Sequence, residues 1–91
     1  MGDKLTYMAI EDLDAYAEKY RKALLEALEE KKDERGVSYS EIEDYVGLDR
    51  STLHRYLSGK RDIPWTRLAA ICAAIGVSLP EVMREVEKRL G

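Results

Sequence analysis

The sequence predicts an all-α fold, a compact bundle of five helices near residues 11–34, 39–46, 50–58, 65–75 and 79–90. Two observations carry that expectation. Apolar residues recur with the 3.6-residue period of an amphipathic helix in segment after segment, and no stretch shows the period of two that marks a half-buried strand. Glycine, proline and Ser/Asp capping signals then divide these segments so that only short loops remain between them. Ninety-one residues at 45% hydrophobic content suffice for one core and leave little for a second. The expected organisation is an N-terminal arm over residues 1–10 and a single domain over residues 11–91.

Over residues 11–34, Leu13, Tyr16, Ala17, Tyr20, Leu24, Ala27 and Leu28 keep the helical period among strong helix formers, and Gly36 offers a stop. This extended first helix is expected to overhang the core at Leu13 and Tyr16, and to need cover from a second protomer or from the chain's own C-terminus. Its charged end, from Glu26 through Arg35, reads as a solvated face. Ser38 followed three residues later by Glu41 is a capping-box signature for a second helix, which buries Ile42 and Val46 and stops at Gly47. Asp49 caps a third helix. There Leu53, Tyr56 and Leu57 point inward, Ser51, Arg55 and Ser58 point away, and Arg50 and His54 flank them.

Proline at residue 64 suits the first turn of a fourth helix, whose stripe is Trp65, Leu68, Ile71, Cys72 and Ile75. Trp65 is expected to anchor the core near the preceding loop. Ser78 and Glu81 form a second capping box, and the last helix then carries Leu79, Val82, Met83, Val86 and Leu90, more apolar surface than one small core absorbs. Val82, Met83, Val86 and Leu90 are therefore expected to join two copies in a homodimer, with packing against the first helix as the alternative.

Several function classes are excluded on composition. One cysteine, Cys72, and one histidine give no disulfide and no paired Cys/His spacing for zinc, so no metal, no cofactor and no small-molecule ligand is expected. His54 has no base-orienting partner in view and the glycines form no phosphate cradle, so the chain does not read as an enzyme. With 36% charged residues there is no apolar run near the length of a membrane span, and the acidic N-terminus lacks the pattern of a signal peptide. A cytoplasmic location is expected.

The outward face of the third helix is that of a major-groove reader. A guanidinium can bond guanine O6 and N7 together, and hydroxyls serve several base edges, so Arg50, Ser51, His54 and Arg55 are the candidate base contacts. Lys60 and Arg61 follow where a phosphate backbone would run, with Ser38, Thr52 and Ser58 as further candidate backbone contacts. The formal net charge of -3 opposes DNA at long range, but it is unevenly spread. Residues 47–76 hold five Lys/Arg against two Asp/Glu, so the positive balance falls on the reader and the helix after it.

At these residues the chain resembles the helix-turn-helix of the Cro and phage-repressor family, also called the xenobiotic-response-element type. That family places apolar residues five and one before the turn glycine and one, six and nine after it; here they are Ile42, Val46, Leu48, Leu53 and Tyr56 around Gly47. The run from Asp49 to Arg61 is similar to its recognition helix and following loop, and the likeness extends over roughly residues 17 to 83. The resemblance implies a lambda-repressor-like bundle with its motif at residues 38–61. It also implies a sequence-specific regulator of transcription, a repressor or Cro-like control protein of phage or mobile-element type, acting on a double-stranded operator. Two positions depart. Glu43 stands where the family has a small residue between the two helices, so the helices cross further apart or the side chain swings outward. Tyr39 stands where the family commonly has a glutamine that contacts phosphate, and Tyr39 inherits that assignment from the resemblance. The reading from another class is a protein-interaction module that keeps this fold and does not bind DNA.

Overall fold

The computed structural model describes residues 10–91, so the expected arm lies outside the described residues except for its last position. The helices are α1 (Ile10–Arg35), α2 (Tyr39–Val46), α3 (Arg50–Leu57), α4 (Trp65–Ile75) and α5 (Leu79–Leu90). No strand occurs among the described residues. The all-α, five-helix architecture is the one predicted, with Ser58 capping the end of α3 rather than lying within it.

Local chemistry sets most boundaries. At the start of α2 the Ser38 hydroxyl accepts the Glu41 N–H at 3.1 Å, and the Glu41 carboxylate accepts the Ser38 N–H at 3.0 Å. Two amides that a helix leaves unpaired are thereby satisfied, and such a cap is typically worth ~1 kcal/mol. α2 ends at Gly47, whose φ of 80° is left-handed. The Glu43 carbonyl there accepts both the Gly47 N–H at 2.8 Å and the Leu48 N–H at 3.0 Å, which returns Leu48 to the core. At α5 only half of the expected box forms. The Ser78 hydroxyl accepts the Glu81 N–H at 3.2 Å, but the Glu81 carboxylate faces Lys31 at 3.9 Å and Arg35 at 3.7 Å. Two cations presented by α1 outcompete one backbone amide for it.

The core joins Leu28 of α1, Ile42 of α2, Leu53 and Tyr56 of α3, Ile71 and Cys72 of α4, and Val82 and Val86 of α5. α1 and α5 share the most extensive contact and run antiparallel, since Glu81 meets Lys31 and Arg35 while Arg89 meets Glu26 and Glu30. This corrects the expected dimer surface. Val82 and Val86 are 0% exposed within one chain and Met83 is half-buried, which leaves Leu90 as the exposed member of that set. The unusually long α1 supplies the face that absorbs the stripe.

Trp65 is a second correction, being 70% exposed. It is the first residue of α4, and side chains lean toward a helix's N-terminus, so its indole projects past the end of the helix while burial begins one turn later at Leu68. The overhang of α1 is as expected: residues 12–20 are all exposed. At ~1.5 Å per residue α1 is ~39 Å long, and it sets the long dimension of a body measuring 43 × 24 × 18 Å.

Candidate nucleic-acid interface

α2 and α3 meet at the Gly47–Asp49 turn and leave an open groove of about 510 Å³ between their outer sides. Its walls include Ser38, Tyr39 and Ser40 from α2 and its cap, and Arg50, His54 and Ser58 from α3 and its end. The inward stripe of α3 fixes which residues face out. Leu53 and Tyr56 are buried, so Ser51, His54 and Arg55 are held exposed, and among the described residues the side chains of His54 and Arg55 have no hydrogen-bonded or ionic partner.

Asp49 orients the start of this helix by accepting the Thr52 N–H at 2.7 Å. That backbone bond, helped by the Thr52 hydroxyl and by the charge of Arg55, holds its carboxyl below the usual aspartate range. Thr52 is thus half-buried and engaged, and of the remaining expected backbone contacts Ser38 is engaged in its cap. The Ser38 hydroxyl accepts in that bond and keeps its own proton to donate. Ser58 bonds weakly to the Arg55 carbonyl at 3.4 Å.

Beyond α3, the loop carrying Lys60 and Arg61 is tied down rather than loose. The Arg61 N–H reaches the Arg55 carbonyl at 3.2 Å, and the Arg61 guanidinium lies 5.8 Å from the Tyr56 ring centre. Gly59 takes a φ of 81°, and a Cβ added there would lie 3.3 Å from the Leu25 side chain of α1. A side chain there would be both strained and crowded, so glycine is what allows the loop to pack down and present Lys60 outward.

Two expected contacts are already occupied. The Tyr39 hydroxyl donates to the Glu29 carboxylate at 2.7 Å, and Lys32 sits 4.4 Å from the centre of its ring. The Glu29 bond pushes the Tyr39 phenol above its ordinary value. Arg50 donates to Glu43 at 3.3 Å and to Ser40 at 3.3 Å. Glu43 therefore turns toward α3 and pairs with Arg50, and its side chain is only 16% exposed rather than swung out into solvent. The sequence reading missed Glu29, Lys32 and Ser40 as neighbours of this face. The Glu43–Arg50 pair had a signal, since a glutamate on the last turns of α2 and an arginine opening α3 face each other across a three-residue turn. The Glu29–Tyr39 bond had none, because it depends on how α1 crosses α2.

A tight glycine turn between two short helices, the second with a polar exposed face, defines a helix-turn-helix protein of the kind that DNA-binding regulators use. The chain belongs to the helix-turn-helix domain family, whose model matches residues 23–86. No curated protein and no solved structure matches the chain. No single helix among the described residues is long and apolar enough to cross a membrane.

Proposed function

We propose that this protein is a sequence-specific regulator of transcription of the Cro and phage-repressor type, which reads the major groove of double-stranded DNA with α3 and acts as a homodimer. The observation that carries the proposal is the exposed face of α3. Ser51, His54 and Arg55 stand outward on it and form no ion pair among the described residues, beside a tied-down loop that presents Lys60, while the nearby carboxylates of Glu29, Glu43 and Asp49 are each engaged by a neighbour. Arg55 bonds a base edge, with Ser51 one turn earlier and His54 alongside. Arg50 swings from Glu43 to reach a base at the edge of the site. Lys60, Arg61, Ser38, Ser58 and Thr52 face the phosphates, and Tyr39 reaches one only by exchanging its Glu29 partner.

The test is selection of bound duplexes from a random pool, followed by affinity measurements over a salt series. The expected result is an inverted repeat and a log-log slope on the order of -0.9 per phosphate neutralised. One observation favours a second reading, an interaction module without DNA: Arg50 and Tyr39 are already satisfied within the chain. A pool that yields no enriched duplex and no salt-sensitive affinity selects that reading.

A further inference from the structure

Residues 12–20 of α1 carry an apolar stripe that nothing among the described residues covers, and its flanking charges are arranged for a second copy of the same helix. α5 accompanies α1 only part of the way: Arg89 in its last turn lies at Glu26 and Glu30, and Glu87 is near enough to Tyr20 to act on its hydroxyl. Beyond that level Leu13, Tyr16 and Tyr20 stay 39%, 37% and 37% exposed on the same side of α1 that carries the buried Ala27 further along. The two tyrosines already order each other, with hydroxyls 3.2 Å apart and ring centres 5.1 Å apart. A rigid aromatic pair on an exposed apolar stripe is the composition of an interface core.

The charges around this stripe identify its occupant. Read from both ends, residues 12–21 hold two charge-inverted pairs, with Asp12 mirroring Arg21 and Asp14 mirroring Lys19, while Leu13 mirrors Tyr20 and Tyr16 mirrors Ala17; Glu18, opposite Ala15, stands outside the pattern. At about 100° per residue, Asp12 and Lys19 lie along one edge of the apolar face and Asp14 and Arg21 along the other. When two copies pack antiparallel about a two-fold axis, like edges meet with their directions reversed. Asp12 then faces the partner's Lys19 on one side, Asp14 faces the partner's Arg21 on the other, and Leu13 meets the partner's Tyr20 between them. A parallel pair brings unlike edges together at equal height, which sets Asp12 against the partner's Asp14 and Lys19 against the partner's Arg21. The antiparallel arrangement is the one that sets unlike charges together along the Asp12/Lys19 edge, and it is isologous as a two-fold dimer requires. Arg21 is already paired within its own chain, with Glu18 at 3.2 Å and Asp62 at 2.5 Å, so the Asp12–Lys19 edge carries the attraction between copies.

We infer that the protein dimerises through the N-terminal overhang of α1, as an antiparallel helix pair centred between Tyr16 and Ala17, with the last turn of α5 at its margins. This deepens the homodimer proposed above by giving it a surface. Because the test is made without DNA, its failure leaves the DNA-binding reading intact.

The experiment is sedimentation equilibrium of the full chain, with helix content followed by circular dichroism. The wild type is expected to dimerise reversibly, and Tyr16→Glu to sediment as a monomer of unchanged helicity. Asp12→Lys and Lys19→Glu, made singly, should each weaken the dimer about tenfold, since two symmetric pairs turn repulsive at once. The double variant D12K/K19E should restore wild-type association, which is a readout that a fold defect does not give. A wild type that stays monomeric at millimolar concentration overturns the inference. So does a Tyr16→Glu chain that dimerises normally, a double variant that is not rescued, or an Asp12→Lys variant that associates more tightly, which is the behaviour of a parallel pair.

Discussion

Two groups of basic side chains in this molecule sit in different settings. Along the seam between α1 and α5 each is matched: Arg89 reaches Glu26, Glu30 and Glu85, Arg35 reaches Glu81 and the Gly76 carbonyl, and Lys31 lies between Glu34 and Glu81. On α3 and the loop after it, Arg55 and Lys60 form no ion pair among the described residues. A matched cation fastens one element to another, whereas an unmatched cation on an ordered surface is available to an anion from outside. The small negative net charge is therefore a poor guide to the local field, because the seam acids are paired with cations there while Arg55 and Lys60 stand unpaired on α3 and its loop.

The largest effect expected from testing this contrast lies under the seam. Val86→Asp places a carboxylate where no surface is exposed, at a cost of several kcal/mol that a chain of this size does not survive. Loss of the helical circular dichroism signal is the expected outcome. A folded Val86→Asp chain that had merely lost self-association would return Val86 to the protein's surface as a contact between copies.

On the reader side, Arg55→Ala should cost ~1 to 3 kcal/mol of DNA affinity and relax the preference at one position of each half-site. Lys60→Ala should weaken all duplexes about equally and lower the salt slope by about one per protomer. Both are measured on the selected duplex and on its single-base variants. If Lys60→Ala changed base preference and Arg55→Ala did not, the loop would be the reader and the contrast would need redrawing.

Smaller effects belong to matched but partly exposed groups. Arg89→Ala removes the ion pairs to Glu26, Glu30 and Glu85, and because these remain open to water the expected loss in a urea titration is only ~0 to 1 kcal/mol. The smallest is a pH effect at the start of α3. The Asp49 carboxyl is depressed by the Thr52 N–H, so its contribution is complete above the unfolded value of ~3.9 and is lost as pH falls through the lower folded value. Asp49→Asn keeps a capping oxygen and should remove this dependence, visible as a flatter urea midpoint as pH falls below about 4.

How much of this was legible in the sequence follows from the range of the interactions involved. Capping bonds join residues three apart, as in Ser38 with Glu41 or Asp49 with Thr52, and the left-handed turn at Gly47 is a property of one residue. Such terms are present in the chain before it folds. The helices, their order and the polar outer face of α3 were therefore decided by the sequence itself. The antiparallel charge pattern of residues 12–21 is equally local, although it gains meaning only once α5 is seen to end beside it.

What the tertiary structure alone decided is which apolar or charged residue meets which. Periodicity placed Val82 and Val86 on one face of α5 and Trp65 on one face of α4. It could not say that α1 would cover the first two or that nothing would cover the third. The same holds for Tyr39, given to Glu29, and for Glu43, turned toward Arg50. The physical reason is that a helix's stripe reports only that a face is apolar, whereas burial depends on the lengths and crossings of its neighbours, and in this protein those are set by an α1 about twice as long as any helix it packs against.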